Sequence, residues 1–206
     1  MVSNEQINVN KRNGRGLEAL NIDKIHSMVG FATEGITGVS ASHVEMNSGI
    51  QFFDKISTED IQQILIKSAN DLISLESPNY QYVAARLLLF SLRKKLFHRL
   101  WEHPKFLNHI KVCIEKGMYD EEILDNYTEA EIDRMGMWVD HERDYNFTYA
   151  GLRQVMDKYL VQDRSNGEIF ETPQFMYMMI SATLFAQYPK ESRLQYVKKY
   201  YEAISR

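Results

Sequence analysis

Apolar and polar residues follow two different spacings in the first hundred positions. Residues 7–10 alternate between the two classes. The segments 7–12 and 17–20 flank a turn that contains Gly14 and Gly16, which is typical of a β-hairpin. Apolar positions then recur every three to four residues, which predicts helices. Asn21 or Asp23 can cap the first of them. The four predicted helices run from there to Gly35, from Ser40 or Ser42 to about Phe53, from Ser57 to about Ile73, and from Asn79 to Phe97.

From residue 105 onward the spacing remains mostly helical. A second hairpin is predicted where residues 159–162 and 168–171 enclose the polar run 163–167, and residues 101–104 are expected to form a hinge between two units. The predicted helices cover 105–116, 128–138, 147–159, 173–187 and 190–205, with a short turn near 120–125. The predicted fold class is mainly α (α+β): a β-hairpin with four helices, then a helical domain with one small hairpin.

Composition and charge narrow the functional classes. With 206 residues and 44% hydrophobic content, the chain can bury one good core or two small ones. The net charge of -4 gives no global cationic field for nucleic acid or a membrane surface. Residues 1–100 carry eleven Lys and Arg against ten Asp and Glu, whereas residues 101–206 carry thirteen against eighteen. The first half is therefore the better location for an anionic ligand.

Cysteine usage and hydropathy indicate the compartment. Cys113 is the single cysteine, which excludes a disulfide framework and a four-cysteine zinc site. No apolar run reaches membrane-spanning length, and residues 1–6 contain no apolar signal segment. We expect a soluble, cytoplasmic protein.

Several polar residues are candidates for ligand binding, each with a structural alternative. Lys11 and Arg12 are neighbours on a strand, so they leave it on opposite faces and could equally be a solvated pair. Lys94 continues an apolar helix face, where it must either reach out to solvent or meet an anion. Thr58 opens the third helix and could bind phosphate or simply cap the helix. Glu18 could accept a hydrogen bond from a base amino group or be an ordinary exposed carboxylate.

Three other groups have structural interpretations. His98, His103 and His109 straddle Pro104 without a carboxylate pattern, so no metal site is predicted. Residues 140–144 resemble a charge relay but have no nucleophile nearby in the sequence, so a solvated or an ion-paired turn is expected. Residues 175–179, rich in aromatic and methionine side chains, have the helical spacing of a core.

Several short sequence segments occur together in a characteristic order along the chain. They comprise the hairpin with Lys11 and Arg12, the segment 18–25, residues 80–95, and the strings 140–144, 158–162, 167–171 and 193–198. Together they resemble the large (alpha) subunit of class I aerobic ribonucleoside-diphosphate reductase. The resemblance covers essentially the whole chain: an ATP cone at residues 5–98, and at 99–206 the helical domain that precedes the catalytic barrel.

The resemblance implies a site for ATP or dATP, with Mg²⁺, as an allosteric effector. The family often has a histidine one turn after the threonine, where this chain has Gln62, and its hairpin turn is one residue shorter than the one here, around Arg15 and Gly16. Adenine-nucleotide binding survives these departures, but they put strong inhibition by dATP in doubt. The implied binding residues are Val9, Lys11, Arg12, Glu18, Ala19, Leu20, Asn21, Ile22, Asp23, Lys24, Thr58, Gln62 and Lys94.

The resemblance also implies a role. Reduction in this family needs several cysteines and a barrel, so this chain is expected to regulate ribonucleotide reduction without catalysing it, and to carry no catalytic residue, metal or redox cofactor. Its expected partners are the remainder of the large subunit, in cis or in trans, and the small radical-generating subunit. The alternatives are a stand-alone ATP-cone regulator, although the known repressors carry a zinc ribbon absent here, and a helical interaction module. The chain itself could be a truncated fragment, a split gene product or a partial reading frame.

Overall fold

The computed structural model describes residues 7–11, 16–49 and 51–206. Arg12 of the predicted nucleotide site, and residues 13–15 of the hairpin turn, lie outside these ranges. The chain divides into two compact units. The first comprises the described residues up to Ser91 together with Phe147–Leu152, and the second comprises Leu92–Asn146 and Arg153–Arg206. The predicted division into 5–98 and 99–206 stays a prediction.

A small sheet opens the first unit. Strands β1 (Asn8–Asn10) and β2 (Leu17–Ala19) pair antiparallel, as the alternation predicted. A third strand, β3 (Ile56–Ser57), was not predicted and pairs parallel with the other edge of β1, giving the order β2-β1-β3. Because β3 leads directly into the helix that starts at Thr58, the sheet determines the position of that helix's first turn in space.

Four helices complete the first unit's sequence of elements: α1 (Ile22–Thr33), α2 (Ala41–Gly49), α3 (Thr58–Asp71) and α4 (Tyr80–Phe97), the last of which ends within the second unit. Caps set two of the starts. The Asn21 side chain accepts from Lys24 N and the Ser57 side chain accepts from Asp60 N. Helix α2 ends before the predicted Phe53. The core beneath the sheet is aliphatic, with Val29, Val44, Leu65 and Val83 fully buried.

The second unit is mostly helical. Residues 120–125, predicted as a turn, contribute to a short helix, and residues 141–146 form a 3₁₀-helix. The second hairpin is confirmed as β4 (Gln162–Asp163) paired with β5 (Glu168–Ile169). The helices are α5 (Phe106–Glu115), α6 (Glu122–Asn126), α7 (Glu129–Gly136), α8 (Tyr149–Lys158, which begins in the first unit), α9 (Pro173–Leu184) and α10 (Arg193–Ile204).

The core of the second unit confirms the interpretation of residues 175–179. Phe175 and Met178 are buried together with Phe106, Ile132 and Tyr201. The predicted fold class, mainly α with two small hairpins, is confirmed. Within the described ranges, no helix combines the length and the apolarity that a bilayer span needs.

Candidate functional site

The edge of the small sheet brings the first predicted site residues together. Val9 pairs with Glu18 across β1 and β2, and opposite residues of an antiparallel pair share a face. Lys11 follows Val9 by two positions and therefore lies on that same face. Pairing continues one residue further, since Lys11 N donates to Gly16 O at 3.2 Å. Val9 is buried, so Lys11 and Glu18 lie next to an apolar side chain on this face.

Glu18 connects two lysines. Its carboxylate lies 2.6 Å from Lys11 Nζ and 4.0 Å from Lys24 Nζ. The hydrogen bond from Lys11 holds the pKa of Glu18 below its usual range, and the charges of Lys11 and Lys24 act in the same direction. The sheet and the first turn of α1 thus place two cations around one partly exposed anion.

Thr58 lies at the same end of the sheet as Lys11. The parallel register of β1 and β3 pairs Asn10 with Ser57. The residue after Asn10 is Lys11 and the residue after Ser57 is Thr58, so these two residues lie at the same end of the sheet. Ser57 already caps α3, and the first turn also carries the carboxylates of Glu59 and Asp60. Those acids repel an anion at this helix start, so a phosphate bound here would depend on the nearby lysine rather than on the helix dipole alone.

The end of β2, the link to α1 and the first turn of α1 contain further predicted contacts. Ala19, Asn21, Ile22 and Asp23 are exposed, whereas Leu20 is half-buried and donates its N–H to Ile7 O at 2.8 Å. The Asn21 side chain is engaged as the α1 cap, 3.1 Å from Lys24 N. Most of this segment is therefore accessible to a ligand.

Gln62 lies apart from this accessible surface. It is only 3% exposed, and its Nε2 donates to Leu87 O of α4 at 2.9 Å. The amide thus bridges two helices inside the first unit. Its predicted contact with a nucleotide stays a prediction.

Lys94 and its neighbour Arg93 have opposite environments. Lys94 is exposed in the last turn of α4, on the part of that helix that belongs to the second unit. Arg93 is buried, and it donates to Tyr145 Oη at 2.9 Å, to His141 O at 2.7 Å and to Asp144 Oδ2 at 3.5 Å. The burial of Arg93 was not predicted, because residues 93–95 are three consecutive cations that look equivalent in the sequence.

Comparison with known proteins decides the family. The ATP cone domain matches residues 7–95, and the all-alpha domain of ribonucleotide reductase matches residues 145–206. The chain is 48% identical over 202 residues, 98% of its length, to ribonucleoside-diphosphate reductase 1 subunit alpha of Escherichia coli. The alpha subunits of Haemophilus influenzae and of phage T4 are 48% and 42% identical, over 98% and 97% of this chain.

The chain belongs to the ribonucleoside-diphosphate reductase alpha-subunit family. It corresponds to the part of that subunit that carries the ATP cone and the all-alpha domain. It spans about a quarter of the relatives it matches, 26% of the Escherichia coli subunit. The matched cone contains the sheet edge, the β2–α1 link and the start of α3.

Buried groups of the second unit show no reactive arrangement. Burial raises the pKa of the Cys113 thiol to about 11, and the sulfur lies 3.6 Å from His109 Nε2. Burial also lowers the pKa of His109 to about 4, so both groups are neutral at pH 7. His103 stacks on His141, with ring centroids 3.6 Å apart. Among the described residues, no group of three His, Cys, Asp or Glu side chains could hold a metal ion.

The segment 140–144 carries ion pairs, one of the two alternatives expected, but residues 141–144 belong to the 3₁₀-helix rather than to a turn. Arg143 contacts Asp140 Oδ2 at 3.3 Å and Glu202 Oε2 at 2.7 Å. Burial raises the pKa of Asp144, while Arg93 and Gln174 oppose that shift. These contacts stabilise the second unit and present no nucleophile.

Proposed function

We propose that this chain is the nucleotide-sensing part of a ribonucleoside-diphosphate reductase alpha subunit and binds ATP or dATP, with its Mg²⁺, as an allosteric effector. The proposed site comprises Lys11, Glu18, the β2–α1 link and Thr58 in the first unit. Arg12, Gln62 and Lys94 are further proposed contacts on the strength of the family pattern. The observation that carries the proposal is the Lys11–Glu18–Lys24 cluster, beside the start of α3 and inside the matched ATP cone.

Typical interaction strengths favour a hydrogen bond from Lys11 to a phosphate over its ion pair with Glu18. The Lys11–Glu18 pair is a partly exposed ion pair, and ion pairs of this kind contribute little to stability because solvent screens them. A charge-assisted hydrogen bond to a phosphate oxygen contributes about 1.5–3 kcal/mol. Binding of a triphosphate would therefore release Glu18, whose carboxylate is then free to accept a hydrogen bond from the adenine amino group.

Calorimetric titration of ATP into variants tests the site. Lys11→Ala should weaken binding about 10- to 100-fold, since it removes one charge-assisted hydrogen bond. Glu18→Gln should change affinity far less, because it releases Lys11 while keeping an acceptor oxygen. Lys67→Ala is the matched control: Lys67 is an exposed α3 lysine nine residues beyond Thr58, about 13 Å along the helix. Equal affinities of Lys11→Ala and Lys67→Ala would remove the assignment.

In the intact enzyme, the proposed effector site would control reduction of ribonucleotides to deoxyribonucleotides. The proposed partners are the rest of the alpha subunit, in cis or in trans, and the small radical-generating subunit. The alpha-subunit relatives, of which this chain spans about a quarter, support this over a stand-alone regulator.

A further inference from the structure

The second unit contains an open cleft of about 660 Å³ that the nucleotide site does not use. Its walls come from the α5–α6 link, the α8–β4 link, α9 and α10. Met118, Ile123, Met176 and Met179 supply much of an apolar lining. Clefts of this size and character bind ligands or partner side chains.

Large apolar side chains at the cleft stay exposed to solvent. Tyr159, Ile180 and Leu184 all line it, and they are 61%, 44% and 54% exposed. Apolar groups clustered around a cleft indicate contact with a macromolecule. A small molecule inside the cleft would leave the outer parts of these side chains exposed to solvent, whereas a polypeptide segment that lies across the cleft would cover them.

The charge of the lining has one sign. Asp120, Glu122 and Glu171 line the cleft, and no Lys, Arg or His does so among the residues that the structure describes. Glu171 is 1% exposed; its Oε1 accepts from Val161 N at 2.7 Å, and its Oε2 accepts from Tyr119 Oη. Within the described part of the chain, no cation lies within ion-pair distance of this carboxylate.

A buried carboxylate without a cation is costly. Burial raises the pKa of Glu171, although the hydrogen bonds from Tyr119 and Val161 oppose that shift. Each carboxylate oxygen has a second lone pair, so Glu171 can still accept from an ammonium or guanidinium group. A cationic occupant would thus offset the cost of burial while its neighbours cover the apolar rim.

We propose that this cleft docks a polypeptide segment in which a lysine or arginine is flanked by apolar residues. The cation contacts Glu171, and the flanking side chains pack on Tyr159, Ile180 and Leu184. Alpha subunits of the family contain polypeptide beyond the part that this chain matches, which provides a source for such a segment. The docking site lies wholly in the second unit and does not depend on nucleotide binding.

Methionine methyl NMR of the 206-residue chain tests the proposal. Met118, Met176 and Met179 line the cleft, whereas the exposed Met46 and Met137 do not and act as internal controls. The probe is the peptide acetyl-Ala-Leu-Lys-Leu-Ala-amide, compared with the same peptide carrying norleucine in place of lysine. The lysine peptide should shift the three cleft methyls saturably, and the norleucine peptide should bind about tenfold more weakly.

Two variants and a control locate the interaction. Glu171→Gln should weaken the lysine peptide about tenfold, whereas Glu121→Gln, an exposed acid outside the cleft, should leave its affinity unchanged. Leu184→Lys changes only an exposed rim position and should abolish binding. Equal affinity for both peptides, shifts outside the cleft, no shifts, or shifts that depend on protein concentration alone would each overturn the proposal. ATP affinity measured on the same samples reports separately on the nucleotide site.

Discussion

Lys11 and Gln62, both proposed contacts of the nucleotide, lie in different environments. Lys11 is exposed, and its ion pair with Glu18 is weak enough for a phosphate to replace. Gln62 is buried, and its amide donor already serves Leu87 O. The spacing of Thr58 and Gln62 predicts a shared helix face, but burial differs along that face. Depth of burial, which sequence spacing does not report, therefore distinguishes the buried Gln62 from the exposed Lys11.

The neutral amide of Gln62 leads to a prediction about pH and nucleotide choice. A histidine beside a polyphosphate would have its cationic form stabilised, whereas an amide does not titrate. We expect affinity to vary little between about pH 6 and 8 beyond the nucleotide's own ionisation. We also expect a dATP preference below tenfold, which is about 1.4 kcal/mol, because the Gln62 amide, unlike a histidine, cannot become cationic beside the nucleotide.

Competitive titration of ATP and dATP at two pH values measures both expectations, with Gln62→His as the comparison that should add a pH-dependent component. A preference for dATP well above tenfold in the unmodified chain would contradict this account of Gln62.

His109 should make the second unit less stable in mild acid. Burial lowers its folded-state pKa to about 4, against about 6.5 when unfolded, so the unfolded chain binds the extra proton between those values. Stability is then complete above the unfolded value and falls as pH drops toward 4. In His109→Phe, which keeps a ring against Phe175, the pH dependence should change by about 1.4 kcal/mol per pH unit between about pH 4.5 and 6.

Urea unfolding followed by tryptophan fluorescence measures this slope, since Trp101 and Trp138 both belong to the second unit. His103, His141, Asp144 and Glu171 also titrate, but they are present in both proteins, so the difference in slope arises mainly from His109. If the free energy of unfolding depended on pH in the same way in the unmodified chain and in His109→Phe, His109 would not be the cause of the loss of stability in acid.

At the scale of elements, the pairing of β3 with β1 determines the proposed site. Lys55 N donates to Asn8 O at 2.8 Å, and Asp54 Oδ1 accepts from the backbone N of Asn8 at 2.9 Å. The Asn10 side chain donates to Lys55 O at 2.8 Å. These contacts hold β1 against the segment that leads into α3, and so they hold Lys11 near Thr58.

Asp54→Ala should loosen this pairing. We expect faster amide exchange at Asn8 and Lys55 and weaker ATP binding, with α1 unaffected; Asp71→Ala, at the other end of α3, is the control. The hydrogen bond from Asn8 N–H lowers the pKa of Asp54, so its contribution is present above the usual carboxyl pKa and is lost as pH falls through the lowered one. Unchanged exchange rates would show that the backbone pairs alone suffice.

The same elements show what the sequence could predict. The sequence predicted the start of α1 from Asn21 or Asp23 and that of α3 from Ser57 or Thr58, because capping is a local interaction with a recognisable side chain; Asn21 and Ser57 are the caps in the structure. Strand β3 has two residues and pairs with a segment more than forty positions away, so no local period indicates it. Arg93 differs from Lys94 only through contacts with residues 141–145, which are equally remote. Nonlocal pairing and burial account for what the sequence did not predict.

At the scale of the whole molecule, the described chain contains one thiol, and we expect it not to reduce ribonucleotides on its own. Its single thiol, Cys113, is buried, its pKa is raised, and the sequence offers no second cysteine to form a disulfide. We expect no deoxynucleotide from this polypeptide with a ribonucleoside diphosphate, a dithiol reductant and the small radical-generating subunit, measured by chromatography of the products. Product formed from that mixture would contradict the prediction, whereas activity regained with a separate alpha-subunit polypeptide would not.

The most direct test of the nucleotide site is a backbone amide NMR titration of the unmodified chain with ATP. We expect saturable shifts at β1, at β2 and the link into α1, and at the first turn of α3, and Lys11→Ala should weaken all of them together. The helices α5, α7 and α10 should be unperturbed. Saturating ATP that leaves β1 and the start of α3 unchanged, or that perturbs only the second unit, would contradict the account.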